Sequence, residues 1–296
     1  MPKQKQKQKP IAALLYDFDK TLSPRDMQEY GFIPGLGLTR EAFWAEANRL
    51  QREERMDGIL AYMYLMLDKS RAAKQRVTRD SFVEQGKKLE FFPGVEDWFG
   101  RMNEYGAQQG VRVEHYVISS GLREFIEGCA IYREFKDVYA CEFFYDENNV
   151  ACWPKIVVNY TAKTQFLFRI NKGVPDIANN ADVNKYVADD ERRVPFRNMV
   201  YIGDGPTDIP CMKLVKSNGG YSVAVYPKAQ KAAKASVQGL LRDRRVDFCA
   251  PADYSEGREL DKLVKAMIRK IAETDQLCAL SLKQENEAND SLRPLS

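Results

Sequence analysis

The sequence predicts a three-layer, Rossmann-like α/β fold, a parallel sheet with helices on both faces and a helical insertion after the first strand. Short apolar runs of strand length alternate with helical patterns along most of the chain. Three of those runs end in polar clusters, Asp17/Asp19, Ser119/Ser120 and Asp204/Asp208, and in open parallel sheets ligands bind beyond the carboxyl ends of the strands. Between the first and second of these runs, Thr39 to Leu89 reads as helical.

Ile11 to Phe18 is a nearly continuous apolar run ending in acids, as expected of a buried parallel strand that opens on a site. Ser23-Pro24 breaks it. In the helical stretch, Phe43, Ala47 and Leu50 follow helical spacing. Asp57 is placed to cap a second helix bearing Leu60, Met63, Tyr64 and Leu67 on one face. Ser81 and Glu84 have capping-box spacing before a third. The Met and aromatic stripe of this region reads as packing. Phe92-Pro93-Gly94 is a turn, followed by a helix with Val95, Trp98, Phe99 and Met102 at helical spacing.

Glu114 to Ser119 is the next strand, with a helix from about Leu122. Val138 to Tyr145 is a strand, with Val150 to Trp153 as a hairpin arm across a polar turn. Thr161 is placed to cap a helix through Lys163, Phe166 and Ile170. Residues 171–197 are polar and broken by glycine and proline. Asn198 to Ile202 is a strand running into Gly203-Asp204-Gly205. Tyr221 to Tyr226 and Val246 to Ala250 are strands, and a helix from Gly257 to Thr274 closes the fold.

Bulk composition narrows the chemistry. The 296 residues are 44% hydrophobic and 29% charged, enough to bury a sizeable core. The net charge of +3 is less than the four positive charges of Lys3, Lys5, Lys7 and Lys9 in the first ten residues. The rest is near neutral and lacks the dense basic cluster of a nucleic-acid groove. Residues 1–10 read as a disordered basic tail and 281–296 as a disordered polar one. The run Ile11 to Leu15 is cut short by Asp17 and Asp19, too soon for a signal peptide, and no apolar stretch is long enough to span a membrane. A soluble, cytoplasmic protein without a membrane partner is expected. Six cysteines with no C-x-x-C pair read as reduced, packed thiols. With His115 the only histidine, the sequence argues against a His-rich zinc site and leaves proton transfer to carboxylates. His115 itself is expected at a strand edge without a catalytic role.

Asp17-Phe18-Asp19-Lys20-Thr21 sets two carboxylates two residues apart. In a regular strand they point opposite ways, whereas a turn starting there brings both to one cavity. Like charges so close repel unless a cation sits between them, and Mg²⁺ is the hard, oxygen-seeking ion that suits phosphate substrates. Gly203-Asp204-Gly205-Pro206-Thr207-Asp208 adds a third carboxylate at another strand end and a fourth one turn later. Ser119-Ser120-Gly121 before a helix is a candidate phosphate cradle. Lys163 is a candidate for the positive charge such a site needs, with Lys155 and Lys172 as rivals.

Taken together, these motifs resemble, in order and approximate spacing, those of the haloacid dehalogenase (HAD) superfamily, from about Ile11 to Ala250. The helical stretch resembles the inserted helical cap domain of phosphoserine-phosphatase-like members. The resemblance implies a HAD-like core of residues 11–24 and 91–280 with a cap of residues 25–90. It also implies Mg²⁺-dependent hydrolysis of a small phosphorylated metabolite. Asp17 would attack phosphorus and become a phosphoaspartate, while Asp19 would protonate the leaving oxygen and then activate water. Mg²⁺ would be held by Asp17, the Asp19 carbonyl and Asp204, with Asp208 orienting a metal-bound water or Lys163. Ser119, Ser120 and Lys163 would hold the phosphoryl oxygens.

Asp26 is expected to face an amino group of the substrate, and Arg52 or Arg55 a carboxylate. Asp19 argues against dehalogenase activity, since the family's dehalogenases lack that second acid. The Asp19-Lys20-Thr21 run also resembles the D-K-T of ion-pumping ATPases, which need membrane spans this sequence does not have. Phosphoryl transfer to another acceptor, or a non-catalytic binding module on the same fold, remain open, as does the oligomeric state.

Overall fold

The computed structural model describes residues 9–189 and 191–291. Its strands are β1 (Ile11–Tyr16), β2 (Arg112–Leu122), β3 (Asp137–Tyr145), β4 (Ala151–Ile156), β5 (Met199–Gly203), β6 (Tyr221–Tyr226) and β7 (Phe248–Pro251). They form one sheet in the order β4-β3-β2-β1-β5-β6-β7, parallel except for the β3–β4 hairpin. All six residues of central β1 are buried, so its sequence is apolar without alternation. Its helices up to β2 are α1 (Phe32–Gly35), α2 (Arg40–Glu53), α3 (Gly58–Ala72), α4 (Arg79–Gly86) and α5 (Val95–Gln108). They are followed by α6 (Arg123–Gly128), α7 (Thr164–Lys172), α8 (Asn180–Asn184), α9 (Ile209–Ser217), α10 (Lys231–Arg242) and α11 (Glu259–Ser291). Around the sheet, α5 packs against β2 and α11, and α9 packs against β5, β6 and α7.

Register decides what meets at the carboxyl ends. Tyr16 is level with Val117 of β2 and Ile202 of β5. Asp17 follows Tyr16 directly, while Ser119 and Asp204 each lie two residues past the level partner of Tyr16, so all three meet at one cavity.

Between Met27 and Gly86 the chain forms a 3-10 turn and helices α1 to α4 joined by short loops, and α4 is bound into the sheet's own core. Phe82 packs on Phe125 and Phe143 at ring separations of 5.1 and 5.9 Å. Beside it α4 and α6 touch backbone to backbone. A Cβ on Gly128 would lie 1.8 Å from the Val83 carbonyl oxygen, and one on Gly86 2.1 Å from that of Phe125.

Several local expectations are corrected. The capping box of α4 is Thr78 with Ser81, their hydroxyls accepting from each other's backbone N–H at 3.1 Å, so the helix starts one turn before the Ser81/Glu84 spacing suggests. Tyr64 is 47% exposed, and Tyr62 is the buried tyrosine of α3. Thr161 lies within a 3-10 turn, Tyr160–Lys163, that precedes α7. The expected tail over 281–296 is helical through Ser291, because Glu259 to Ser291 contains neither glycine nor proline and is rich in Lys, Glu, Gln and Ala. Residues 292–296, and residues 1–8 of the expected basic tail, lie outside the described residues.

The helix crossing yields a stability test. Gly86→Ala and Gly128→Ala should each destabilise the protein by about 1–3 kcal/mol through overpacking. Gly100→Ala, in the exposed middle of α5 with nothing within 4 Å, should be neutral or stabilising by up to about 1 kcal/mol. Urea denaturation of the three variants checks this, and equal effects would contradict the contact.

Candidate active site

The end of β1 turns sharply. The Asp17 N–H donates to the Ile202 carbonyl at 2.9 Å, holding Asp17 against β5. The Phe18 carbonyl then accepts from the amides of Thr21, Leu22 and Ser23, at 3.3, 2.9 and 3.1 Å. Lys20 takes a left-handed conformation, φ 59°. This turn defeats strand alternation: Phe18 is buried, while Asp17 and Asp19 line the same cavity. Asp19 Oδ1 accepts from the Met27 N–H at 2.9 Å.

Across the sheet end, β5 stops at Gly203 and Asp208 precedes α9. Asp208 Oδ1 accepts from Tyr201 Oη and from Lys163 Nζ, both at 2.8 Å. Its Oδ2 is buried, has no hydrogen-bond partner and presses on Gly203, where a Cβ would lie 2.5 Å away. Lys163 closes the 3-10 turn before α7. Fully buried, it also donates to Asp17 Oδ1 at 2.8 Å. The rival lysines are engaged elsewhere: Lys155 pairs with Glu142 at 2.9 Å, and Lys172 donates to the Val183 and Lys185 carbonyls.

Carboxylates outnumber cations at this end of the sheet. Burial, then the charge of Asp208, push the Asp17 carboxyl up to about 6 against the pull of Lys163. Burial holds Asp19 well above the usual carboxylate range, helped by Asp26 and Asp17. Asp204 is raised likewise by burial, Asp17 and Asp208. Burial alone would lower Lys163, but the two aspartates outweigh it and keep the ammonium charged. Asp17, Asp204 and Asp208 offer oxygens that all lie within 4.8 Å of one another. An all-oxygen donor set with an orphaned, buried Asp208 Oδ2 fits a hard divalent cation such as Mg²⁺.

His115 stays apart. Its Nδ1 contacts Tyr16 Oη at 2.9 Å and its Nε2 contacts Asn103 Oδ1 at 3.1 Å, and burial pushes its pKa down to about 3.

Ser119 and Ser120 reach the cavity, but not from a helix N-terminus. They lie in an irregular last stretch of β2, and α6 begins only at Arg123. Ser119 Oγ accepts from the Gly121 N–H at 3.0 Å, and Ser120 Oγ is buried without a partner. Asp26 also lines the cavity, paired to Lys20 at 2.8 Å. Arg52 and Arg55 do not line it. Arg52 sits one residue past Gln51, around the helix from the face that Trp44 and Gln51 turn to the cavity, and its Nε donates to the Asn48 carbonyl at 3.3 Å. Arg55 is exposed in the loop before α3.

The cavity is about 310 Å³. Its helical wall comes from residues the sequence did not single out: Trp44, Gln51, Ile59 and Tyr62, with Tyr160 at the rim. Trp44 and Tyr62 carry helical spacing and apolar rings, the same signal as core packing, so no pattern marks them. Among the described residues no helix is long and apolar enough to cross a membrane.

Comparison with known proteins agrees with this architecture. An uncharacterized protein of Borreliella burgdorferi is 29% identical over 279 residues, covering 84% of this chain and 94% of that one. A substrate-bound phosphoserine phosphatase superposes with a TM-score of 0.52 at 15% identity, covering 87% of this chain and 99% of its own. A probable phosphoserine phosphatase from Vibrio cholerae gives 0.53 at 13% identity, covering 92% and 69%. At such identities the likeness is one of fold. The sequence model of the haloacid dehalogenase-like hydrolases matches residues 14–213, a span that holds every carboxylate of the cavity and the lysine beneath it, and the chain belongs to that family.

Proposed function

We propose that the protein is a Mg²⁺-dependent phosphatase that hydrolyses a small phosphomonoester through a phosphoaspartate on Asp17. The observation that carries this reading is the pair of carboxylates at the Phe18 turn. Asp17 faces the cavity with one oxygen held by buried Lys163, and Asp19 beside it has a raised pKa.

Asp17 attacks phosphorus in line as the bond to the leaving oxygen breaks. Asp19, whose hold on a proton is strengthened by burial and by the charges of Asp26 and Asp17, gives its proton to that oxygen and the alcohol departs. Asp19, now ionised, takes a proton from a water molecule that attacks the phosphoaspartate. Inorganic phosphate leaves and both carboxyl groups are restored. Lys163 fixes the orientation of Asp17 and, with Ser119 and Ser120, carries positive charge and donors toward the phosphoryl oxygens. Asp17 and Asp204, with Asp208 beside them and the Asp19 carbonyl, would hold the Mg²⁺, which supplies charge neutralisation for the phosphoryl group and for the crowded carboxylates. The small cavity, about 310 Å³, and the near-neutral folded part favour a small metabolite as partner, with neither nucleic acid nor membrane, and a cytoplasmic setting.

Three measurements test this. Asp17→Asn should lower Mg²⁺-dependent release of p-nitrophenol from its phosphate ester by roughly a thousandfold or more with an unchanged near-ultraviolet CD spectrum. Wild-type-like activity would remove Asp17 as nucleophile. Asp19→Asn should slow both phosphoenzyme formation from an alkyl ester and its breakdown by about 10²–10⁴-fold in single-turnover experiments. Unchanged rates at both steps would end its acid/base role.

The third concerns pH. The Asp17 pKa is raised from 3.8 to about 6 by folding, so the metal-free folded state binds that proton more tightly than the unfolded chain. The stabilisation is complete below about pH 4 and is lost as pH rises through about 6. Mg²⁺ competes with those protons. It should raise Tm by several degrees at about pH 7.5 and little at about pH 4.5, and equal shifts at both would contradict a carboxylate metal site.

A further inference from the structure

The wall opposite the carboxylates bears on which leaving group the cavity accepts, a question that rests on the phosphatase reading above. Among the described residues lining it, Lys20 is the one cationic side chain, and its Nζ is 2.8 Å from Asp26 Oδ2. Lys163 lies beneath the floor, held between Asp17 and Asp208. The arginines of α2 nearest to Trp44 are turned to other acids, Arg40 to Glu41 and Glu29, and Arg49 to Glu46 and Glu53.

The first turn of α3 also borders the cavity through Gly58 and Ile59, and a helix start is where an uncommitted anion would bind. Here it is already capped. Asp57 Oδ1 accepts from the amides of Ile59 and Leu60 at 2.9 and 3.1 Å, and its Oδ2 accepts from Asn159. A substrate carboxylate in this space would meet no free cation and no free helix start, and would face Asp26.

A cation is better served. Trp44 Nε1 donates to Glu29 at 3.1 Å, and Tyr62 Oη donates to the Ser120 carbonyl at 2.7 Å. With their polar tips tied back, the two rings, 6.0 Å apart and edge to face, offer carbon and π surface to the cavity. Ring faces and nearby carboxylates attract alkylammonium groups. Gln28, which also lines the cavity, is only 2% exposed and its Oε1 has no hydrogen-bond partner, leaving an acceptor for an ammonium N–H.

We infer that the phosphomonoester accepted here has a leaving alcohol that carries an alkylammonium group and no carboxylate. The arrangement therefore excludes the α-carboxylate of a phosphoamino acid while accepting the corresponding amino-alcohol phosphate.

O-phosphoserine and O-phosphoethanolamine differ only in that carboxylate, and propyl phosphate is close to an uncharged isostere. Phosphate release by the full chain with Mg²⁺ should give a kcat/KM for O-phosphoethanolamine about tenfold or more above either of the others. Gln51→Arg, which puts a guanidinium on the helical wall, should shift the ratio toward O-phosphoserine. Asp26→Asn should bring the O-phosphoethanolamine to propyl phosphate ratio toward one. O-phosphoserine turned over as well as O-phosphoethanolamine by the wild-type protein overturns the inference and leaves the phosphatase reading standing. Equal turnover of propyl phosphate overturns it too. No hydrolysis of any of these or of p-nitrophenyl phosphate overturns the phosphatase reading, and this inference with it.

Discussion

A buried ammonium held between two buried carboxylates organises this molecule. Lys163 is wholly inaccessible and donates to both Asp17 and Asp208 at 2.8 Å. Each charge taken from water costs several kcal/mol, and removing one partner of such a group strands the others. One cation cannot balance three carboxylates, so the cluster stays negative once Asp204 is included. The same excess raises the proton affinity of Asp17 and Asp204 and makes the site receptive to a second, divalent charge. Proton affinity, metal affinity and the position of Lys163 are three aspects of one electrostatic imbalance.

The sheet makes that imbalance possible. β1 lies between β2 and β5 with Tyr16, Val117 and Ile202 level, so acids and hydroxyls distant in sequence converge. Strand geometry alone would still send Asp17 and Asp19 to opposite faces. The Phe18 carbonyl, by gathering three amides, reverses the chain before alternation takes effect. The helical insertion is tied to the same point, since Met27 N–H donates to Asp19 and Tyr62 Oη to Ser120.

Much of this was legible in the sequence, and what was not shares a cause. The apolar run from Ile11, the acids that end it and the Gly203–Asp208 turn are local signals, and each lies where those signals put it. What the sequence left open or missed depends on tertiary direction. Lys163, Lys155 and Lys172 are equivalent as letters, and only the fold seats Lys163 beneath Asp17. Trp44 and Tyr62 carry the signature of core residues because they are largely core residues, with one surface left to the cavity. Arg52 fails as a cavity residue by a single position, about 100° of helix rotation away from Gln51. The polarity of the C-terminal segment suggests disorder, but its lysines, glutamates and alanines are strong helix formers and the helix runs through Ser291.

Gly203 leaves room for one residue type. Its Cα faces Asp208 Oδ2 so closely that any side chain would displace the carboxylate. Gly121 is similarly hemmed in by Met27 and Asp19, with a Cβ 2.3 Å from the Met27 methyl and 3.0 Å from Asp19 Oδ2. Neither residue has chemistry of its own, yet a mutational search that spares every acid and the lysine should find Gly203 nearly as intolerant as the acids, and Gly121 less so because the tip of Met27 can swing aside. Around this cavity, then, freedom to vary is governed by the space that charged groups occupy as much as by the charges themselves.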